Sequence, residues 1–310
     1  MTSDGDNIYE IVIIGGGPAG LTAGLYTSRA RLRSLLMEKA LVGGQIINAE
    51  QVENFPGFPD GVSGSELGEL LNRQAARFGL EMLYVEVCGL ELQEDRKLVR
   101  TTEGDFTARA LIIAGGSRRQ ELGVSGEKEF IGKGVSYCAT CDASFFREQP
   151  VAVVGGGDAA ITEALHLAKF ASGVTVIHRR DQLRASRILQ ERAFAEPMIE
   201  FRWDSVVERI EGNDFVEGAA VRNVKTGEQS MLGVTGVFVS IGFQPDTDYL
   251  KGILPLDDIG HIITNEKMET GIPGILAAGD IRHNSARQAI AAAGDGATAA
   301  IYAEKYLTEQ

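Results

Sequence analysis

The sequence predicts an α/β fold with two Rossmann-like dinucleotide-binding units, and three observations support it. Short apolar runs alternate with helical patterns along most of the chain, the pattern of sheets covered by helices. Two of these runs end in glycine turns of the form G-x-G-x-x-G/A, with Gly155 lying 140 residues after Gly15. The 310 residues leave room for about two domains, each with its own core.

Ile11-Val12-Ile13-Ile14 is apolar at every position, as a strand buried on both faces must be. It runs into Gly15-Gly16-Gly17-Pro18-Ala19-Gly20, and a helical pattern follows. Gly15 makes the tight turn, Gly17 lets a pyrophosphate approach the backbone, and Gly20 permits close helix–strand packing. The free N–H groups of the helix then face the phosphates. The next apolar run, Ser34 to Met37, ends at Glu38, the acid expected about 20 positions on to bind a ribose hydroxyl.

Gly43-Gly44-Gln45 and the stretch Val52 to Phe58 are rich in turn formers and read as surface loop. Residues 65–78 have helical spacing, with Ser65 as a candidate cap. Strands are expected from 80 to 113, with Gly104-Asp105 turning a hairpin and Cys88 buried as a small apolar residue. Ala110 to Ala114 is another buried strand, and the polar stretch Ser117 to Gln120 reads as a crossover into a second domain.

The pair Cys138 and Cys141 comes next, in Tyr137-Cys138-Ala139-Thr140-Cys141-Asp142. Cysteines at this spacing suit either reversible two-electron disulfide chemistry or a metal site. A structural zinc needs about four ligands. The remaining Cys88 and the four scattered histidines offer no such set, so no metal is expected. Asp142 suits either proton supply to the pair or a helix cap.

The opening motif then recurs. Val151 to Val154 leads into Gly155-Gly156-Gly157-Asp158-Ala159-Ala160 and a helical run to Phe170. The following strand, Val174 to Ile177, ends in His178-Arg179-Arg180, with Arg184 placed one helical turn beyond. An acid there would repel a ribose 2′-phosphate, whereas guanidinium groups pair with it, which points to NADPH over NADH. Residues 200 to 240 alternate like strands around a hairpin turn at Val224 to Glu228, and 242–248 read as a second crossover. Ile275 to Ala278 is a strand ending in Gly279-Asp280. A helix from about Ala286 to Tyr306 follows, with small residues (Ala289, Ala292, Ala293, Gly296, Ala300) suited to close packing.

Taken together, these motifs make the chain resemble the low-molecular-weight thioredoxin reductases, within the class II pyridine nucleotide-disulfide oxidoreductases. The matches run from Ile11 to Leu307. They include Gly43-Gly44-Gln45, Glu53 to Gly57, Cys138 to Asp142 with Phe145-Phe146-Arg147, Gly279-Asp280 and Arg287-Gln288-Ala289. Departures are Gly115, Ser144 and Asp246, none of which removes a reacting group.

The resemblance implies two Rossmann-like dinucleotide-binding domains, the second inserted into the first. An FAD domain would span 1–117 and 245–310, and an NADPH domain, 118–244, would carry the redox-active pair. It places FAD on Gly15, Gly17, Gly20, Glu38, Gln45, Asn54, Asp280, Gln288 and Ala289. NADPH would lie on Gly155, Gly157, Arg179, Arg180 and Arg184. Electrons would pass from NADPH through FAD and the Cys138–Cys141 disulfide to oxidised thioredoxin. Cys141 would face the flavin, Asp142 would act as the acid, and the inserted domain would rotate about the crossovers. Thioredoxin would dock on Lys133, Phe145 and Phe146, and the enzyme would be a homodimer. The alternative is an FAD-dependent dithiol oxidase using O2, which would have no need of the basic cluster.

The net charge of −13 argues against nucleic acid and anionic membranes as main partners. No apolar run reaches the roughly 18 residues of a membrane span. Met1 to Asn7 lacks a basic region followed by an apolar one. A cytoplasmic, reduced protein is expected.

Overall fold

The structure, a computed structural model, describes residues 8–93 and 95–309; the reading of Met1 to Asn7 lies outside them. In chain order the first elements are β1 (Ile8–Ile14), α1 (Pro18–Arg29), β2 (Ser34–Glu38), α2 (Gly64–Ala76), β3 (Glu81–Tyr84), β4 (Val87–Leu92), β5 (Lys97–Thr101) and β6 (Gly104–Ile113). Next come β7 (Ser117–Arg119), β8 (Val135–Ser136), the single-turn α3 (Ala139–Asp142), β9 (Pro150–Gly155), α4 (Asp158–Leu167), β10 (Gly173–Ile177), α5 (Arg187–Ala195) and β11 (Ile199–Arg202). The last are β12 (Ser205–Gly212), β13 (Val216–Asn223), β14 (Gln229–Leu232), β15 (Gly236–Ser240), β16 (Phe243–Pro245), β17 (Ile275–Ala277) and α6 (Ala289–Thr308).

The chain divides into two units, Met1–Arg118 with Gln244–Gln310, and Arg119–Phe243. It crosses between them where β7 pairs with β16.

In the first unit the sheet runs β3-β2-β1-β6-β5-β4, with β17 also paired to β6. β3, β2, β1, β6 and β17 are parallel, while β4 and β5 add an antiparallel edge. Successive strand residues point to opposite faces, so Ile11 and Ile13 enter one core and Val12 and Ile14 the other. Burying such a side chain contributes roughly 1.5–3 kcal/mol, which is why both faces stay apolar.

α1 and α6 cover the first of these faces, and small residues set their distance. A Cβ on Gly296 would come within 2.0 Å of the Ala19 carbonyl oxygen, so only glycine admits this approach. Ala292, Ala299, Ala300 and Ala303 are buried along the same helix.

The second unit repeats the plan with a parallel sheet in the order β11-β10-β9-β15-β8. Val151 and Val153 pack on one side with Ile161 and Leu167 of α4, and Ala152 and Val154 on the other. The antiparallel sheet β12-β13-β14 belongs to this unit, and its last hairpin turns at 224–228 as expected.

Local boundaries differ from the expectations in ways that have physical causes. The cap of α2 is Ser63, whose hydroxyl accepts from the Glu66 N–H at 3.2 Å. Ser63-Gly64-Ser65-Glu66 is a capping-box spacing, and that signal outranks Ser65. The β5–β6 hairpin turns at Thr102-Glu103, and Gly104 already pairs with Thr101. Cys88 is exposed, because β4 is the last strand of its sheet. α6 starts at Ala289, since Arg287 has φ 54°, a left-handed conformation that no α-helix continues through. Residues 178–186 form a loop, so Arg184 does not lie on a helix.

Candidate active site

β1 and α1 meet at the first glycine turn. Gly15 has φ 108°, and a Cβ there would lie 2.4 Å from the Ala114 carbonyl oxygen. A Cβ on Gly20 would fall 1.8 Å from the Gly15 carbonyl oxygen, so the helix can leave the strand this sharply only with glycine. Gly17 caps α1 without any side-chain hydrogen bond, which leaves the first-turn N–H groups for an anion. Nothing stands within 3.9 Å of the position a Gly17 Cβ would take, so the backbone there is open to a ligand.

Glu38 sits beside this turn at the end of β2. Its carboxylate accepts from the Gly16 N–H at 2.7 Å and the Ala40 N–H at 2.8 Å. A carboxylate accepts about four hydrogen bonds, so two sites remain for a diol. Gly44 also borders the turn, since its Cβ would lie 3.0 Å from the Gly17 Cα. The Gly43-Gly44 signal marked this loop, though sequence reasoning gave Gly44 no role.

Other expected site residues of this unit gather from both ends of the chain. The Asn54 amide donates to the Gln288 carbonyl at 3.0 Å across 234 residues of sequence. Gln45 reaches the Ser117 carbonyl at 3.4 Å. Asp280 follows β17, and burial raises its carboxyl pKa against the lowering effect of the Ser285 hydroxyl and Arg287. The adjoining Gly279 lies against α1, with 3.0 Å between its would-be Cβ and that of Ala19. Ala289 opens α6. Glycine turn, paired acid and uncapped helix therefore fit the dinucleotide that the motifs imply. The departure at Asp246 is accommodated by an ion pair with Lys39 at 2.6 Å.

The second glycine turn has the same geometry. Gly155 has φ 153°, and a Cβ there would meet the Ser240 carbonyl oxygen at 2.2 Å. Gly157 caps α4 with no side-chain bond, and nothing lies within 4 Å of its Cβ position. The 178–186 loop folds onto this turn, where Arg184 donates its backbone N–H to the Gly156 carbonyl at 2.7 Å and Ser186 donates to Asp158 at 2.7 Å. Gly156 is required because a Cβ would stand 2.4 Å from the His178 ring. Its role was unread in the sequence, although it is the middle glycine of the motif.

His178 and the arginines beside it separate by environment. His178 is buried against Trp203, and burial lowers its pKa despite a bond to the Gln182 carbonyl, with the neighbouring arginines lowering it further. It is a neutral packing residue. Arg179, Arg180 and Arg184 are exposed, and none forms an ion pair among the described residues. Three unpaired guanidiniums beside an uncapped helix start fit a phosphate monoester.

The cysteines form a disulfide around α3, with Cα atoms 5.3 Å apart. Cys138 is the cap of this turn, its sulfur accepting from the Cys141 N–H at 3.2 Å. Cys138 is half-buried and Cys141 exposed. Asp142, half-buried at the end of α3, makes no side-chain cap bond to the turn that follows, so the capping role is not the one it plays. Beneath the pair, Tyr137 donates to the buried Glu127 at 2.8 Å, and the same carboxylate accepts from the Leu122 and Gly123 N–H groups.

The adjacent aromatics divide. Phe145 is 74% exposed, while Phe146 packs edge-on against Phe238 with ring centres 5.3 Å apart. Phe146 is thus half-buried against the core, whereas Phe145 stands out from the surface. Lys133 is exposed.

The family model described as pyridine nucleotide-disulphide oxidoreductase matches residues 9–296. The chain belongs to that family. This family member is an oxidoreductase. It is 45% identical over 308 residues to a thioredoxin reductase of Peptoclostridium acidaminophilum, covering 97% of this chain and 98% of that protein. It is 47% identical over 304 residues to a thioredoxin reductase of Streptomyces coelicolor, covering 97% and 94%. Among solved structures, the thioredoxin reductase of Lactococcus lactis superposes with a TM-score of 0.95 at 43% identity, covering 97% of this chain and 100% of that one. Among the described residues, no helix of this oxidoreductase is long and apolar enough to cross a membrane.

Proposed function

We propose that this chain is a thioredoxin-disulfide reductase that draws electrons from NADPH with FAD as its bound cofactor. The observation that carries the reading is the Cys138–Cys141 disulfide in a chain whose two glycine turns each end at an uncapped helix. When bound, FAD supplies the two-electron chemistry that joins a nicotinamide to a disulfide.

The residues then have separate tasks. Gly15, Gly17, Gly20 and Glu38 hold the adenosine and pyrophosphate of FAD, with Gln45, Asn54, Asp280, Gln288 and Ala289 along the rest of the cofactor. Gly155 and Gly157 receive the pyrophosphate of NADPH, and Arg179, Arg180 and Arg184 its 2′-phosphate. Reducing the disulfide to two thiols takes up two electrons and two protons, and in this reading Asp142 delivers a proton to the pair. The dithiol passes both electrons to a partner disulfide by exchange. The domains are an FAD unit formed by both chain ends and an NADPH unit that carries the cysteines. The active form is a homodimer in the cytoplasm. A dithiol oxidase using O2 would have no use for three unpaired arginines at the second turn. NADPH oxidation that starts only when oxidised thioredoxin is added supports this reading, and oxidation driven by O2 alone counts against it.

Phe145 is the docking contact this reading selects, because an exposed aromatic beside a reactive disulfide gives buried area at low entropic cost. Phe145→Ala raises the KM for thioredoxin about tenfold, the equivalent of a modest hot spot of about 1.4 kcal/mol. Reduction of a small disulfide dye is unchanged. Equal losses on both substrates, in steady-state assays run side by side, would assign Phe145 to structure.

A further inference from the structure

Between Ile281 and α6 the chain passes through 282–288 without regular structure. Asn284 at φ 58° and Arg287 at φ 54° both hold left-handed backbone there. Asparagine adopts this conformation readily, but an arginine persists in it only where its surroundings over-determine it. We propose that Asp257, His261 and His283 form a relay that positions this stretch, and through Arg287 and Gln288 sets that side of the flavin site. The inference rests on the reading that FAD binds the first unit.

The relay starts at Asp257. Its Oδ1 accepts from the backbone N–H groups of Ile259 at 3.0 Å and His261 at 2.8 Å. Its Oδ2 faces His283 Nδ1 at 2.6 Å and His261 Nδ1 at 3.3 Å. Burial pushes the Asp257 carboxyl up, but His283 and the two backbone donors outweigh it and hold the pKa at about 2. The carboxylate is therefore charged, and both rings present an Nδ1–H toward it. Arg287 Nη2 approaches the other ring nitrogen of His261, Nε2, at 3.5 Å.

The stretch is tied at its other points to expected flavin residues. The backbone N–H of His283 donates to the Ile262 carbonyl at 2.8 Å. Ser285 donates to Asp280 at 3.1 Å and accepts from the Arg287 N–H at 3.2 Å. Gln288 accepts from Asn54 at 3.0 Å. The Arg287 charge also lowers the Asp280 carboxyl pKa. The relay thus links a turn at 257–261, which carries no expected ligand contact, to residues that do.

His283 offers the cleanest test because its side chain is 46% exposed, so losing it removes little core packing. The holoenzyme is diluted and flavin release followed by its fluorescence, with unfolding followed separately by far-UV circular dichroism. His283→Ala should release FAD about tenfold faster, the scale of one lost hydrogen bond to a charged group, with the unfolding midpoint within about 2 °C of wild type. His283→Asn, whose side-chain N–H₂ can take the place of Nδ1–H, should restore release to within about threefold. Asp257→Asn, which keeps the size and removes the charge, should release FAD as fast as His283→Ala. Wild-type release rates in His283→Ala, or no rescue by His283→Asn, would overturn the relay. Wild-type protein that holds no FAD would overturn the cofactor reading itself, and the relay with it.

Discussion

Cys138→Ser and Cys141→Ser each reduce thioredoxin turnover to background while FAD stays bound and is still bleached by NADPH. A serine oxygen cannot form or exchange a disulfide, so either replacement removes the two-electron store. Neither should disturb the local fold. Cys138 caps α3 by accepting from the Cys141 N–H at 3.2 Å, and serine is a strong cap residue in the same geometry. Cys141 is exposed, so its replacement leaves no cavity. Flavin absorbance and thioredoxin reduction measured on the same preparations separate the two half-reactions. A single mutant with full thioredoxin turnover would remove the pair from the chemistry.

The next largest effect is on coenzyme choice. Replacing Arg179 and Arg180 together by neutral residues should weaken NADPH about ten- to a hundredfold and leave NADH nearly unchanged. Losing their charge-assisted pairing with the phosphate costs roughly 1.5–3 kcal/mol in all, because Arg184 remains to hold part of the interaction. The expected loss is selective because the arginines are exposed and bear no ion pairs among the described residues, so no ion pair is broken with them. Titrations of both coenzymes against the double mutant and wild type read the ratio directly. An unchanged ratio would assign the cluster to a solvated surface.

The parts of this site that were legible in the sequence are those in which a local constraint dictates residue type. A strand buried on both faces must be apolar throughout, and a strand that turns at once into a helix must carry glycine. Hence β1, β9 and their turns could be read directly, with Glu38 a fixed distance beyond. Contacts made by distant residues left no such trace. Asn54 and Gln288 meet across 234 positions, and Asp257 meets His283 from a separate turn. α5 was missed because its only fully buried residue is Ala193, so it shows no strong apolar stripe. His178 reads as one more basic residue beside Arg179, yet only packing against Gly156 and Trp203 makes it a buried, neutral one. The division between Phe145 and Phe146 likewise depends on Gly236, where a Cβ would lie 2.6 Å from the Phe146 ring.

The central claim is that one chain connects NADPH to a protein disulfide through a flavin and the Cys138–Cys141 pair. The most direct test is an anaerobic titration of the purified protein followed at about 450 nm, where oxidised flavin absorbs. NADPH should bleach the band, NADH should do so far less effectively, and oxidised thioredoxin added next should restore it. A band that NADPH bleaches but only O2 restores would contradict the account, as would protein that carries no flavin.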